Sequence, residues 1–179
     1  MQFTDARKYK KQIKKLYKSA FPFYERAPFS LLMKRTDNGR DSFYAIVEEN
    51  SFIGLVYTIT CEKMVYVFFL AVTEENRGKG YGSKMLEKIR EMHGGKPVTL
   101  MIEDTEETSA KNMDERIRRL KFYERNGFKR LHIKINEAGV RYELLGTDNT
   151  VTQADFLALM KEYIGGFLFK IIYRKTMRE

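Results

Sequence analysis

The stretch "ENRGKGYGS", residues 75–83, follows the apolar run "YVFFLAV" at 66–72 and precedes the helix-like run "KMLEKIREM" at 84–92. It holds three glycines at alternate positions with basic residues among them. A turn between a strand and a helix points unpaired amides and the positive end of the helix dipole at one spot, and glycine lets a phosphate approach the backbone. The stretch therefore predicts an anion-binding loop.

Three phosphate-binding patterns compete for this loop. The Walker A pattern fails because the chain has no Gly-Lys-Ser/Thr triplet. The dinucleotide pattern G-x-G-x-x-G fails because a count from Gly78 ends at Ser83. A third pattern, R-x-x-G-x-G, fits from Arg77 to Gly82. A glycine turn without a ligand stays open as the structural alternative.

Composition limits the class of protein. A chain of 179 residues is expected to form one domain, and 43% hydrophobic residues with 13 Phe and 11 Tyr argue against disorder of the whole chain. The apolar runs are shorter than the roughly 20 residues that span a bilayer, and no signal-peptide pattern opens the chain. The single cysteine, Cys61, excludes an internal disulfide, and a zinc site is not expected. We expect a cytoplasmic protein with no membrane partner and no metal.

The formal net charge of +9 favours anionic ligands but does not identify one. Seven of the twelve residues from Arg7 to Lys18 are Lys or Arg. A helix here would carry them opposite an apolar stripe formed by Tyr9, Ile13, Leu16, Tyr17 and Ala20. We interpret the basic stretch as a solvated helix face, with a nucleic-acid patch as the weaker alternative.

Strand-like runs recur along the chain. The runs "SFYAIVE" (42–48) and "FIGLVYTIT" (52–60) predict a hairpin, and "MVYVFFLAV" (64–72) predicts a buried central strand. The run "VTLMI" (98–102) predicts another buried strand, and "RLHIKI" with "VRYELL" predicts a second hairpin across "NEAG". The last run, "FLFKIIYR" (167–174), also reads as a strand.

Helical stripes alternate with these strands. One stripe consists of Met85, Leu86, Ile89 and Met92, and another of Ile117, Leu120 and Tyr123. "TQAD" at 152–155 is similar to a capping box that opens a helix ending at Gly165-Gly166. The segment "FPFYERAPFSLLMKR" can hold a short helix. The pattern predicts an α/β fold with a mixed, mostly antiparallel sheet flanked by helices.

A second sequence block supports the interpretation of the glycine loop as a phosphate-binding site. "RIRRLKFYERNGFKRL" at 116–131 contains the spacing F-Y-x-x-x-G-F, from Phe122 to Phe128. With "RGKGYG", it resembles the GNAT superfamily of acyl-CoA-dependent N-acyltransferases, whose pyrophosphate loop is [QR]-x-x-G-x-[GA]. The resemblance covers roughly residues 5–146 and is most like a bacterial branch with "FPxxERxPF" near its start. It implies a GNAT core at 1–146 and a helix–strand extension at 147–179 packed on the same domain.

The resemblance implies that acetyl-CoA is the cosubstrate. A strand edge would pair with the pantetheine arm, and the loop would bind the pyrophosphate. The implied cofactor-binding residues are Leu70, Ala71, Val72, Arg77, Gly78, Lys79, Gly80, Tyr81, Gly82 and Ser83.

The resemblance also implies catalytic residues. Tyr123 matches the general acid that protonates the leaving thiolate. Many relatives place a carboxylate on the central strand, where this chain has Phe68 and Phe69. Glu103 and Glu25 are the candidate bases, although Glu25 could pair with an Arg and Glu103 could cap a turn. Deprotonation through ordered water would need neither of them.

We therefore expect direct transfer of an acetyl group to a small-molecule or peptide amine. The alternative is a non-catalytic GNAT-fold protein that senses acyl-CoA or binds nucleic acid as a basic adaptor. Nucleic acid is the less favoured partner, and a homodimer stays open. The acidic segment Glu103–Glu107 either attracts a cationic amine or is only solvated.

Overall fold

The computed structural model describes residues 1–107 and 110–178. The chain divides into two compact units. The N-terminal unit consists of Met1–Thr60 and Val65–Gly94, and the C-terminal unit of Cys61–Met64 and Gly95–Glu179. The boundary expected at residue 146 stays a prediction.

The N-terminal unit holds four strands and three α-helices among the described residues. In chain order they are β1 (Gln2–Asp5), α1 (Lys10–Ala20), α2 (Phe29–Arg35), β2 (Asp41–Glu48), β3 (Ser51–Thr60), β4 (Val65–Val72) and α3 (Tyr81–Met92). Each strand pairs antiparallel with the next, in the order β1-β2-β3-β4. The sequence did not indicate β1, because four residues are too few to show an alternating pattern.

The first predicted hairpin is confirmed. The two residues between β2 and β3, Glu49 and Asn50, have φ of 49° and 64°. Two-residue hairpin turns favour positive φ at both positions because that backbone matches the twist of the strands. The turn therefore sets the pairing of Glu48 with Ser51 and of Val47 with Phe52, before the register shifts at Ile46.

The predicted helix faces are largely confirmed. In α1, Ile13, Leu16 and Tyr17 are buried, and every Lys from Lys8 to Lys18 is exposed. The edge of Tyr17 packs on Phe69 of β4, with ring centroids 5.0 Å apart. In α3, Met85, Leu86 and Ile89 are buried, whereas Met92 is 42% exposed because it lies in the last turn.

The C-terminal unit holds the remaining elements. They are β5 (Val98–Glu103), α4 (Met113–Arg125), β6 (Lys129–Glu137), β7 (Val140–Gly146), α5 (Gln153–Ile164) and α6 (Gly166–Ile172). Strand β7 pairs antiparallel with both β5 and β6, and the predicted second hairpin is confirmed. None of the helices in residues 1–107 and 110–178 is long and apolar enough to cross a membrane.

The final strand prediction is wrong, because "FLFKIIYR" forms α6 and the turn after it. The predicted helix–strand extension is therefore a pair of helices. A short run of consecutive apolar residues fits either period, so its pattern alone does not separate strand from helix. In the structure Phe169 and Tyr173, four residues apart, are the buried pair. The capping box of α5 is confirmed by reciprocal hydrogen bonds of Thr152 and Asp155.

The stripe predicted for α4 is also partly wrong. Ile117 is 37% exposed, while Arg116 beside it is only 6% exposed. A hydrophobicity pattern cannot anticipate a buried arginine, because its burial depends on partners distant in sequence.

Strands β3 and β4 approach closely at Gly54. A Cβ at this position would lie 2.4 Å from the Ala71 carbonyl oxygen. We predict that Gly54→Ala lowers the free energy of unfolding by about 1–3 kcal/mol, because backbone must shift to admit the methyl group. Urea denaturation measures this change.

Gly166→Ala is the matched control, since nothing lies within 4 Å of a Cβ there. It should leave stability unchanged or slightly raised. Equal stability of both variants would contradict the close approach.

Candidate active site

The glycine loop joins β4 to α3 as the sequence predicts. After a 3-10 turn at Glu74–Asn76, the chain runs through exposed residues 77–80 and enters α3 at Tyr81. Gly78 and Gly80 have φ of 75° and 79°, and a Cβ on either would meet nothing within 4 Å. Glycine is thus required here for its left-handed backbone rather than for space.

The N-terminus of α3 is suited to bind an anion. Its N-cap is Gly80, which offers no side chain to the free N–H groups of the first turn. The first turn contains no acidic residue, and it includes Lys84. The amides and the positive dipole end are therefore available to an external anion such as a phosphate.

Hydrogen bonds on both sides hold the loop in place. The N–H of Thr73 donates to the Ile53 carbonyl at 2.9 Å, and Asn76 Nδ2 donates to Thr73 Oγ1 at 2.9 Å. At the helix side, the Tyr81 hydroxyl donates to Glu48 on β2. Tyr81 is thus an anchor through its side chain, and only its backbone is left for a ligand.

A β-bulge precedes the loop on β4. Tyr57 of β3 pairs with Phe69 while Thr58 pairs with Val67, so Phe68 is the extra residue. The ring of Phe68 lies 5.8 Å from that of Tyr66 and 6.3 Å from that of Tyr57. Aromatic packing therefore occupies this position on β4.

Tyr123 lies near the C-terminal end of α4 and is half-buried. Its ring packs against Phe122 at 5.1 Å and Phe128 at 5.8 Å between centroids. Within the described part of the chain, the Tyr123 hydroxyl has no hydrogen-bond partner. Burial raises the pKa of this phenol, against a smaller lowering by Arg119. The hydroxyl therefore keeps its proton at neutral pH and can donate it.

Glu103, the last residue of β5, is 8% exposed and belongs to an ion-pair network. Arg116 lies 3.0 Å from one carboxylate oxygen and Arg119 lies 3.2 Å from the other. Asn112 donates to both oxygens, at 3.3 and 3.1 Å. These contacts favour an anchoring role for Glu103, and its role as a base stays a prediction.

The sequence did not predict that Asn112, Arg116 and Arg119 contact Glu103. Asn112, Arg116 and Arg119 stand at i, i+4 and i+7, so they share one face of a helical segment. That spacing indicates a polar face on the helix, although it does not show that the face contacts a buried acid.

The acidic segment Glu103–Glu107 is ion-paired inside the C-terminal unit. Asp104 is fully buried and lies 2.7 Å from Lys134. Burial alone would raise the pKa of Asp104, but the bond from Lys134 and other favourable contacts lower it overall. The other acids also have basic partners, which are Arg116, Arg119, Arg130 and Lys134. The segment is therefore neutralised by its own unit, and Thr108 and Ser109, which follow it, lie outside the described residues.

Glu25 ends a 3-10 turn, Phe23–Glu25, between α1 and α2. Glu25 is half-buried, and its neighbours Phe23 and Tyr24 are 84% and 69% exposed. The structure places Glu25 and the glycine loop in the N-terminal unit, and Glu103 and Tyr123 in the C-terminal unit.

Comparison with known proteins identifies the family. The family model for the acetyltransferase (GNAT) domain matches residues 39–130, which is more than half of the chain. The matched range contains the glycine loop, Glu103 and Tyr123. The chain belongs to the GNAT acetyltransferase family.

Individual relatives agree with this assignment. A Bacillus subtilis (strain 168) protein, "Putative acetyltransferase YjbC", is 26% identical over 109 residues, which are 56% of this chain and 54% of that protein. This chain thus spans about half the length of that curated relative. A Bacteroides thetaiotaomicron structure, "Putative acetyltransferase from GNAT family", has a TM-score of 0.73 at 22% identity and covers 97% of this chain and 98% of its own.

A second structure has a similar fold and holds coenzyme A. It is an aminoglycoside 6'-N-acetyltransferase with a TM-score of 0.63 at 13% identity, covering 85% of this chain and 99% of its own. These structures confirm the predicted GNAT-like α/β fold.

The ion-pair network around Glu103 predicts that replacing Arg116 destabilises the protein. We expect Arg116→Met to lower the free energy of unfolding by about 3 kcal/mol, because it leaves buried acidic groups with fewer partners. Chemical denaturation followed by circular dichroism measures this loss.

Arg118→Met is the control in the same helix. Arg118 is exposed, and its Nε donates to the Asp114 carbonyl of the same helix at 3.3 Å. Its replacement should change stability by less than about 0.5 kcal/mol. A similar loss in both variants would show that the network does not stabilise α4.

Proposed function

We propose that this protein transfers an acetyl group from acetyl-CoA to an amine. The observation that carries the proposal is the uncapped N-terminus of α3, which opens onto a left-handed glycine loop directly after β4. Membership of the GNAT acetyltransferase family supports the same reaction. The acceptor is a small-molecule or peptide amine, and a cytoplasmic location and a homodimer stay predictions.

The proposal assigns the cosubstrate to the N-terminal unit. The loop amides would bind the pyrophosphate, and Lys79 would add a positive charge beside it. Backbone groups of β4 would pair with the pantetheine arm as an added strand does. The assigned residues are Leu70, Ala71, Val72, Arg77, Gly78, Lys79, Gly80, Tyr81, Gly82 and Ser83.

The proposal assigns the proton donor to Tyr123. Its phenol would donate to the sulfur of the leaving thiolate, because burial keeps the hydroxyl protonated and the hydroxyl has no hydrogen-bond partner among the described residues. Because Glu103 is already bonded to Arg116 and Arg119, we assign it to positioning α4. Glu25 or an ordered water would then take the proton of the amine.

Acetyl-CoA should stabilise the folded protein. At a concentration of about 100 Kd, a ligand that binds only the native state adds about 2.7 kcal/mol, which raises Tm by about 5–10 °C for a chain of this length. A thermal melt with and without acetyl-CoA measures the shift. An unchanged Tm at millimolar acetyl-CoA would overturn the cosubstrate assignment.

Gly80→Ala tests the loop itself. The variant forces a methyl group into a left-handed backbone, which costs about 1 kcal/mol and distorts the amides that bind the anion. We expect the ligand-induced shift in Tm to shrink by at least half.

Gly39→Ala is the matched control, because Gly39 has a φ of 74° and equally open surroundings. It should cost similar stability and keep the full ligand-induced shift. Equal loss of the shift in both variants would show that the loop is not the binding site.

Tyr123→Phe should lower kcat about 100-fold while the KM for acetyl-CoA changes little, because the ring packing stays and only the donated proton is lost. Release of free thiol in the presence of a panel of amines measures the rate. Tyr9→Phe is the control, since Tyr9 is a half-buried tyrosine stacked on Phe52 at 6.1 Å. Full activity of Tyr123→Phe would contradict the assignment of Tyr123 as the proton donor and would leave it only a packing role.

A further inference from the structure

The helix α6 is apolar on two opposite faces. One face buries Phe169, which packs with the buried Tyr173 just after the helix. The other face presents Phe167, Leu168 and Ile171, which are 79%, 51% and 59% exposed. Contiguous exposed apolar side chains of this size mark an interaction site, so the outward face of α6 indicates a partner.

The rest of the unit holds α6 firmly in this position. The Ala138 N–H donates to the Ile172 carbonyl at 3.0 Å, and Asn136 N–H donates to Thr176 Oγ1 at 2.6 Å. The Tyr173 hydroxyl donates to Glu137. The outward apolar face is therefore presented on a fixed support at the end of β6.

The charged residues of the α6 segment itself are all basic. Residues 166–177 contain no Asp or Glu, and Lys170, Arg174 and Lys175 are exposed beside the apolar side chains. None of these three cations forms an ion pair with another described residue. Exposed Phe, Leu and Ile flanked by Lys and Arg are the composition of helices that lie in a lipid headgroup layer.

The same charges argue against a second copy of this chain as the partner. Two α6 faces in contact would bring six cations together, in a protein whose net charge is already +9. We propose that α6 docks the protein on an anionic lipid surface. Phe167, Leu168 and Ile171 enter the headgroup layer, while the flanking cations contact lipid phosphates. The expectation of no membrane partner rested on the length needed to span a bilayer, which a docked helix does not need.

Cosedimentation of the full chain with vesicles tests the proposal. We expect binding to vesicles of phosphatidylcholine with 30% phosphatidylglycerol and at least tenfold weaker binding to phosphatidylcholine alone, since each cation contributes about fivefold. The double variant Phe167→Ser/Ile171→Ser should bind the anionic vesicles at least about tenfold more weakly. Its circular dichroism and Tm should match the parent, because both side chains are exposed.

Two further variants separate docking by α6 from other effects. Phe23→Ser removes an 84% exposed aromatic of the N-terminal unit and should leave vesicle binding unchanged. Lys170→Glu/Arg174→Glu replaces two basic residues beside the apolar face. The control, Lys14→Glu/Lys15→Glu, replaces two basic residues on α1 and should weaken vesicle binding less. The proposal would be overturned if the parent chain did not bind the vesicles or if Phe167→Ser/Ile171→Ser bound them fully. It would also be overturned if the α1 variant lost more binding than the α6 variant. A dimer in sedimentation velocity that Phe167→Ser/Ile171→Ser dissociates would also overturn it, in favour of a second copy.

Discussion

The close pairing of β3 with β4 is the constraint on which the candidate site depends. Gly54 lets the Ala71 carbonyl approach, and the Thr73 N–H continues the pairing to the Ile53 carbonyl at 2.9 Å. The chain therefore leaves β4 at one defined point. From there the left-handed backbone of the glycine loop leads directly into the uncapped first turn of α3.

The two units differ in whether the charge at their candidate site residues is already balanced by neighbouring groups. Around the glycine loop of the N-terminal unit, the first turn of α3 lacks an acid, so its positive field is left for a ligand. In the C-terminal unit, Glu103 and Asp104 are buried and their charge is balanced by Arg116 and Lys134. A carboxylate whose charge is balanced by adjacent basic groups attracts a cationic substrate less than an unpaired one does. This contrast favours a binding role for the first region and a positioning role for the second.

Local patterns account for what was predicted correctly. Each hairpin turn contains one residue suited to positive φ, Asn50 in the first and Gly139 in the second, and the start of α5 follows from its capping box. The strand identity of "FLFKIIYR" failed because consecutive apolar residues show neither period. The burial of Arg116 was missed because its partners Glu103 and Glu107 lie 13 and 9 residues away in the chain. Spacing within α4 indicated a polar face but not what the face would meet.

Local sequence patterns specify the glycine loop and its place between a strand and a helix, because glycine geometry and helix polarity act over a few neighbouring residues. Packing of the chain establishes that Glu103 is held by two arginines, that the Tyr123 hydroxyl has no hydrogen-bond partner among the described residues, and that α6 exposes an apolar face. The physical reason is that burial and pairing are properties of the packed chain. Residues distant in sequence supply them, so a local pattern cannot contain them.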